Sequence, residues 1–348
     1  MASKAYVRSL ALYGFSEFIQ KCGGDPLELL RDMDIDPKLL RSQNQIYPYQ
    51  KHIDLWEHAA TVLDRPNIGL EYALEMNPHF PNVGPIFLLA QFEKTTGDWL
   101  QSAFRYLKYH TSAMQLSIDI IDDGKTVMGK RILDPMLKPG RQTDEMDSAI
   151  VFFITRHHAK LPEYRPFKVA FPHRAPEDTS LHREIFGDCM EFDAPFTYSL
   201  YPAEILKLPI SSYMQIVRPA VHAFADMALK IYRLPKSDVV FKTRMAISMH
   251  LGSGRLNIVD VASTLEMHPK KLQRDLESCG ETFSSLVETV RESLARNLLT
   301  SSNAPVAQIA GYLDYSNNTA FTLAFKRWTG MTPKKYRLAM AGKSDEID

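Results

Sequence analysis

V-A-Q-I-A-G-Y-L-D-Y-S-N-N-T-A-F-T-L-A-F-K-R-W, residues 306–328, decides the fold of this 348-residue chain. Val306, Ile309, Ala310 and Leu313 recur at the spacing of one helix face, with Asn303 and Pro305 at the entry. A second helix follows the turn, and Phe321, Ala324, Phe325 and Trp328 form its buried arc. Thr319, Thr322, Leu323 and Lys326 then point the other way, with Arg327 beside them. Two short helices with a tight turn between them, the second offering hydrogen-bonding groups outward, make a helix-turn-helix.

The same design occurs upstream, in N-I-V-D-V-A-S-T-L-E-M-H-P-K-K-L-Q-R-D-L, residues 257–276. Ile258, Val261, Ala262 and Leu265 line one face, Asn257 is placed to cap the helix, and Asp260 holds the capping-box position. The second helix opens with His268 at the cap and Pro269 at its first position, where a missing N–H costs nothing. Leu272 and Leu276, four apart, form the buried pair. At 100° per residue Lys270, Gln273 and Arg274 then cluster on the opposite face, with Lys271 at the flank. Arg or Lys pairs with guanine and Gln with adenine in the major groove, so this face suits DNA. One such amphipathic pair occurs by chance in many proteins; a repeat of it, with a donor-rich outer face each time, rarely does.

These residues resemble a family. From about Ser237 to Leu338 the chain is similar to the DNA-binding domain of AraC/XylS-type transcription regulators, most specifically over I-A-G-Y-L-D-Y-S-N-N-T-A-F-T-L-A-F-K-R-W-T-G-M-T-P-K-K-Y-R. The resemblance implies an all-α domain of seven helices. A long helix at about Phe283–Leu299 would hold two recognition helices in successive major-groove turns. By position it implies DNA contacts from Lys270, Gln273 and Arg274 in the first unit and from Asn317, Asn318, Thr319, Thr322 and Lys326 in the second. Lys271 and Arg327 complete the set, and Lys334, Lys335 and Arg337, after the Thr332-Pro333 cap, are expected near phosphates. The chain departs from the family pattern where Glu266 and Asp314 replace turn glycines, which suggests a tighter or strained first turn. It departs again at Leu323, where many members carry Arg, leaving a side chain able to touch a thymine methyl but not to read guanine.

The formal net charge is zero, yet residues 238–343 carry 14 Lys and Arg against 9 Asp and Glu, an excess of five positive charges. Positive charge thus gathers where the motifs are. Residues 344–348 form an acidic tail. Cys22, Cys189 and Cys279 are widely spaced and lack a C-x-x-C pattern, so neither a disulfide framework nor a zinc site is expected. No secretory apolar segment opens the sequence and no run of about 18 apolar residues occurs, so a soluble, cytoplasmic protein without membrane contact is expected.

Residues 5–110 read as mostly helical, through S-L-A-L-Y-G-F-S-E-F-I-Q-K-C-G-G, P-L-E-L-L-R-D-M, Y-Q-K-H-I-D-L-W-E-H-A-A-T-V-L and D-W-L-Q-S-A-F-R-Y-L-K-Y-H. L-S-I-D-I-I and T-V-M-G-K-R-I-L flank D-D-G-K as a hairpin. Met146–Ala159 returns to helix, and F-K-V-A-F, M-E-F-D and F-T-Y-S-L-Y are expected strands. Strands collected in one later block give an α+β domain over residues 1–235, with Leu234–Ser237 as linker, and an all-α domain of two tandem helix-turn-helix units over 236–343. Residues 10–210 also resemble the arabinose-binding-like effector domain of one AraC-type subfamily, on L-L-R-D-M-D-I-D-P-K-L-L, L-W-E-H-A-A and E-I-F-G-D-C-M-E-F-D-A-P-F. Phe87, Phe92, Phe104, Tyr106, Phe152, Phe153, Phe167 and Phe171 are candidates either for a pocket lining or for core.

His52 and His58, and the pair His157-His158, lack the spacing of a helical metal site. The sequence contains no H-E-x-x-H, G-x-S-x-G, phosphate loop or G-x-G-x-x-G. No enzyme, cofactor or metal is therefore expected. The reading is a sequence-specific transcription regulator, an activator contacting RNA polymerase, dimeric, and responsive to a small-molecule effector in its N-terminal domain. The alternatives are an enzyme with an appended DNA-binding domain, or an architectural DNA binder.

Overall fold

The computed structural model describes residues 4–42, 44–77, 92–161, 163–210, 217–231, 239–254 and 256–344. The N-terminal part is mainly helical, with the α-helices α1 (Phe15–Lys21), α2 (Pro26–Asp32), α3 (Tyr49–Val62) and α4 (Ile68–Met76). α2 starts as its sequence dictates, with Asp25 accepting from the Leu27 N–H and Pro26 in the first turn. Trp56 on α3 is fully buried, with the rings of Phe15 and Tyr72 at 5.4 and 4.8 Å.

The strands are not confined to one later block. β1 (Tyr6–Arg8) pairs antiparallel with β2 (Ile46–Pro48), Val7 opposite Tyr47. Three residues are too few for alternation to show, so the sequence pattern passed over both.

α5 (Thr96–His110) begins at a capping box formed by Thr95 and Asp98. The expected hairpin follows as β3 (Met114–Ile121) and β4 (Thr126–Leu133), in register from Met114 opposite Leu133 to Ile121 opposite Thr126. α6 (Arg141–Ala159) starts five residues before the expected Met146 and packs on α4. Gly69 allows that approach: a Cβ there would collide with the Gln142 backbone, and its N–H donates to the Gln142 side chain at 3.0 Å. β5 (Lys168–Ala170), α7 (Ser180–Phe186), β6 (Met190–Glu191) and β7 (Thr197–Pro202) complete a five-stranded sheet of order β3-β4-β7-β5-β6. Its neighbours are antiparallel except β5 and β6. α8 (Arg218–Ile231) lies against α5, joined to it by Arg105 to Asp226, and its Arg218 pairs with the buried Glu93 just ahead of α5.

The remainder is helical: α9 (Val239–His250), α10 (Ile258–Thr264), α11 (Pro269–Glu277), α12 (Phe283–Ser301), α13 (Val306–Tyr312), α14 (Asn318–Thr329) and α15 (Pro333–Ser344). These are the seven helices the resemblance implied. The long α12 runs two residues past the expected Leu299. They share a second core, in which Leu272, Leu276, Val290, Leu299, Leu313, Phe321 and Phe325 are fully buried. The expected linker, Leu234–Ser237, lies outside the described residues.

The two cores touch. Ser293 of α12 donates to the Pro135 carbonyl, and Asn297 donates to the Leu137 carbonyl at 3.1 Å. The Asn303 N–H reaches Asp193 at 2.7 Å, and the ring of Phe196 lies 5.4 Å from that of Tyr312.

Candidate nucleic-acid interface and internal cavity

The two helix-turn-helix units are built alike to the level of single hydrogen bonds. In the first, the Met267 N–H closes on the Ala262 carbonyl at 2.9 Å and the Glu266 N–H on Ser263 at 3.0 Å. In the second, Tyr315 closes on Ala310 and Asp314 on Gly311, both at 3.0 Å. This is the double closure of a helix that ends on a left-handed residue. Glu266 and Asp314 are that residue, with φ of 53° and 55°. Both turns therefore take the left-handed geometry that glycine favours, at a cost of about 1 kcal/mol for a side chain in that region.

α11 follows its sequence closely. His268 caps it by accepting from the Lys270 N–H, Pro269 occupies the first turn, and Leu272 and Leu276 are fully buried. Lys270, Lys271, Gln273 and Arg274 are all exposed. Two of these have local partners: Lys271 pairs with Asp275 at 3.0 Å, and the Gln273 amide donates to Glu277 at 3.1 Å. In α14, Phe321, Ala324 and Phe325 are buried. Asn318, Thr319 and Lys326 are exposed and Thr322 is half-buried. Leu323, 66% exposed, projects from the middle of the outer face, as expected.

Three polar candidates are already engaged within the fold. Asn317 is the cap of α14, its side-chain oxygen accepting from the Ala320 N–H at 2.8 Å. Arg327 pairs with Glu288 on α12, and that carboxylate also accepts from the Trp328 indole at 2.9 Å. Arg337 turns inward to the carbonyls of Leu299 and Ala304, at 3.3 and 2.6 Å, and so ties α15 to the end of α12. Lys334 and Lys335 remain exposed.

A cavity of about 160 Å³ lies between the sheet and α5 and α6. Residues directly opposite in an antiparallel pair share a face, so three cross-strand rows form its floor: Leu116, Arg131 and Thr197; Ile118, Gly129 and Ser199; Val127 and Tyr201. Leu100, Phe104 and Leu107 of α5, spaced at i, i+4, i+7, face the floor, as do Ile150 and Val151 of α6. Of the aromatic candidates only Phe104 lines this cavity. Tyr106, Phe152, Phe153 and Phe171 are core, Phe167 is 59% exposed, and Phe92 is half-buried; Phe87 lies outside the described residues.

The Arg131 cation in the cavity wall is paired internally. The Arg131 guanidinium donates to Asp144 and, at 2.8 and 3.1 Å, to Asp147. Burial alone would lower the pKa of Arg131; the two carboxylates outweigh it and hold the group firmly protonated. Burial also lifts the Asp147 carboxyl above its usual range, with Arg131 opposing, and drives the Tyr49 hydroxyl upward. His52, 2.8 Å from the Tyr47 hydroxyl, is pushed down to about 3 by burial, with His110 and Arg131 adding to the effect. His110 is pushed down to about 4 by burial and then by Arg8. Both imidazoles are neutral at pH 7, and His110 Nδ1 is buried with no hydrogen-bond partner among the described residues.

No helix among the described residues is long and apolar enough to cross a membrane. Residues 23–210 match the family model described as "Arabinose-binding domain of AraC transcription regulator, N-term", and residues 261–339 match a helix-turn-helix domain model. The chain is similar to the HTH-type transcriptional regulator VirS of Mycobacterium tuberculosis, 26% identical over 333 residues, which are 95% of this chain and 96% of that protein. It is also similar to the ornithine utilization regulator of Pseudomonas aeruginosa, 24% identical over 308 residues, 88% of each chain. Among solved structures, the transcriptional regulator CdpR from Pseudomonas aeruginosa aligns over 92% of this chain and 98% of its own, at 20% identity and a TM-score of 0.42.

Proposed function

The chain belongs to the family of AraC transcription regulators, and from that premise we propose that it reads promoter DNA through α11 and α14 under the control of a small molecule held in the N-terminal cavity. It is a transcription regulator with a helix-turn-helix DNA-binding domain. The finer assignment rests above all on one observation. Two units with the same turn geometry and buried face present exposed donors outward, Lys270, Gln273 and Arg274 from one helix and Asn318, Thr319 and Lys326 from the other. Lys271 and Thr322 flank these sets, while Asn317 and Arg327 act chiefly by holding α14 in place.

On this reading residues 1–235 bind the effector and dimerise, residues 236–343 bind DNA, and 344–348 are an acidic tail. The protein works in the cytoplasm as an activator, contacts RNA polymerase when bound, and has no catalytic activity. An effector acts by its differential affinity for two arrangements of the molecule.

Selection of bound duplexes from a random library tests the reading. The expected product is a bipartite site whose halves lie about one helical turn, roughly 10 base pairs, apart. Enrichment of no sequence over the starting pool would instead mark an architectural binder. Transcription of a promoter carrying the selected site, and light scattering with and without that duplex, test activation and dimerisation.

A further inference from the structure

The cavity between the sheet and α5 and α6 is assigned a ligand by chemistry rather than by the name of the matching domain. We propose that it binds an uncharged, predominantly apolar molecule of about one aromatic ring, carrying a single polar group, and excludes both sugars and anions. The proposal rests on the reading of this cavity as the effector site and specifies its occupant.

Size sets the first limit. The volume is about 160 Å³, and an apolar protein cavity of about 150 Å³ holds benzene. Gly129 keeps the space open. It sits at the middle of the central cross-strand row, between Ile118 and Ser199, and a Cβ built on it would meet only the Ser199 carbonyl, at 4.0 Å.

Charge sets the second limit. The cation on the cavity floor, Arg131, is matched by Asp144 and Asp147. Lys130, which alternates with Arg131 on β4 and also borders the cavity, is matched by Asp119 at 2.5 Å. An anion entering here would meet no unmatched cation among the described residues, and would have to leave water for an apolar wall.

Polar capacity sets the third. A pentose or hexose carries a hydroxyl on nearly every carbon, and each buried one without a partner loses affinity. Leu116, Ile118, Val127, Phe104, Leu107 and Ile150 dominate the lining. Of its hydroxyls, Thr111, Ser148 and Thr155 already donate to backbone carbonyls, which leaves Thr197, Ser199 and Tyr201 on the floor, too few for a polyol. The buried, unpartnered Nδ1 of the neutral His110 provides one place for a single hydroxyl or carbonyl.

Calorimetric titration and thermal melting of the full chain with three probes decide the matter: benzyl alcohol, benzoate and L-arabinose. Benzyl alcohol is expected to bind and raise Tm, with benzoate and arabinose at least tenfold weaker. Gly129→Phe is expected to melt no lower than the parent and to lose the alcohol; Val151→Phe, from the facing helix, serves the same purpose if the strand variant fails to fold. Arabinose or benzoate binding more tightly than the alcohol would overturn the proposal, as would binding of none of the three. Alcohol binding that survives in the variants would also overturn it. If the alcohol binds and the variants abolish it, but affinity for the selected DNA site is unchanged by the alcohol, the ligand class stands and the effector reading fails.

Discussion

Asn297, on the long helix that carries both helix-turn-helix units, donates to the carbonyl of Leu137, four residues beyond the end of the strand that forms the centre of the cavity floor. Ser293, one turn earlier on the same helix, does the same to Pro135. The floor and the helix-turn-helix units are thus connected by one short stretch of chain and one hydrogen-bonded helix face. Phe196, adjoining the cavity residue Thr197, adds a ring contact to Tyr312 at the end of α13.

That contact has a calorimetric consequence. The parent is expected to unfold in a single transition, and Phe196→Ala combined with Asn297→Ala, which removes an aromatic pair and a hydrogen bond worth about 1 kcal/mol each, is expected to split it in two. Two transitions in the parent itself would show that the contact does not couple the halves.

Glu266→Gly is expected to stabilise the chain by about 1 kcal/mol, because glycine enters the left-handed region without a Cβ clash. Denaturant unfolding measures it; an unchanged or lower midpoint would mean that the Glu266 side chain contributes an interaction larger than the strain.

Stability should fall in mild acid. The folded pKa values of His52 and His110, about 3 and about 4, lie below the ordinary 6.5, so unfolding takes up protons between those limits. Their contribution is fully present above pH 6.5 and is lost as pH falls toward 4. Urea titrations at pH 7 and pH 4.5 are expected to differ by about 2 to 3 kcal/mol less in His110→Leu than in the parent. Equal pH dependence in the two proteins would place that imidazole in water.

Leu323→Arg is expected to leave the melting temperature within about 1 °C, since the side chain is 66% exposed. It should tighten DNA binding and steepen its salt dependence by up to about one phosphate contact. A lowered melting temperature with no gain in binding would mean that Leu323 packs against a partner rather than facing the groove.

Much of this was legible in the sequence where the signal is local. Leu272 with Leu276, and Phe321 with Ala324 and Phe325, fix helix faces by spacing alone, and His268-Pro269 marks a helix start at the observed place. The roles of Arg327 and Arg337 were not legible, because their partners Glu288, Leu299 and Ala304 are 33 or more residues away. Asn317 shows a further limit: an Asn before a helix serves as a cap or as a DNA contact, and only the bond to Ala320 distinguishes them. The cavity was hidden for a different reason. Its floor takes alternate residues from three strands, and its emptiness depends on a glycine that contributes no side chain at all. Most of the conspicuous aromatics proved to be core, since large rings fill interiors more often than they line pockets.

The most direct test of DNA reading by α11 concerns Arg274, which is exposed on that helix and far from the buried Leu272 and Leu276 face. Fluorescence anisotropy at fixed salt, with the selected duplex and a shuffled one of the same composition, compares the parent with Arg274→Ala. The expected result is a loss of about 1–3 kcal/mol, roughly 5- to 150-fold, on the selected duplex, a much smaller loss on the shuffled one, and an unchanged melting temperature. Equal affinity of parent and variant for the selected duplex would contradict the assignment of α11 as a recognition helix.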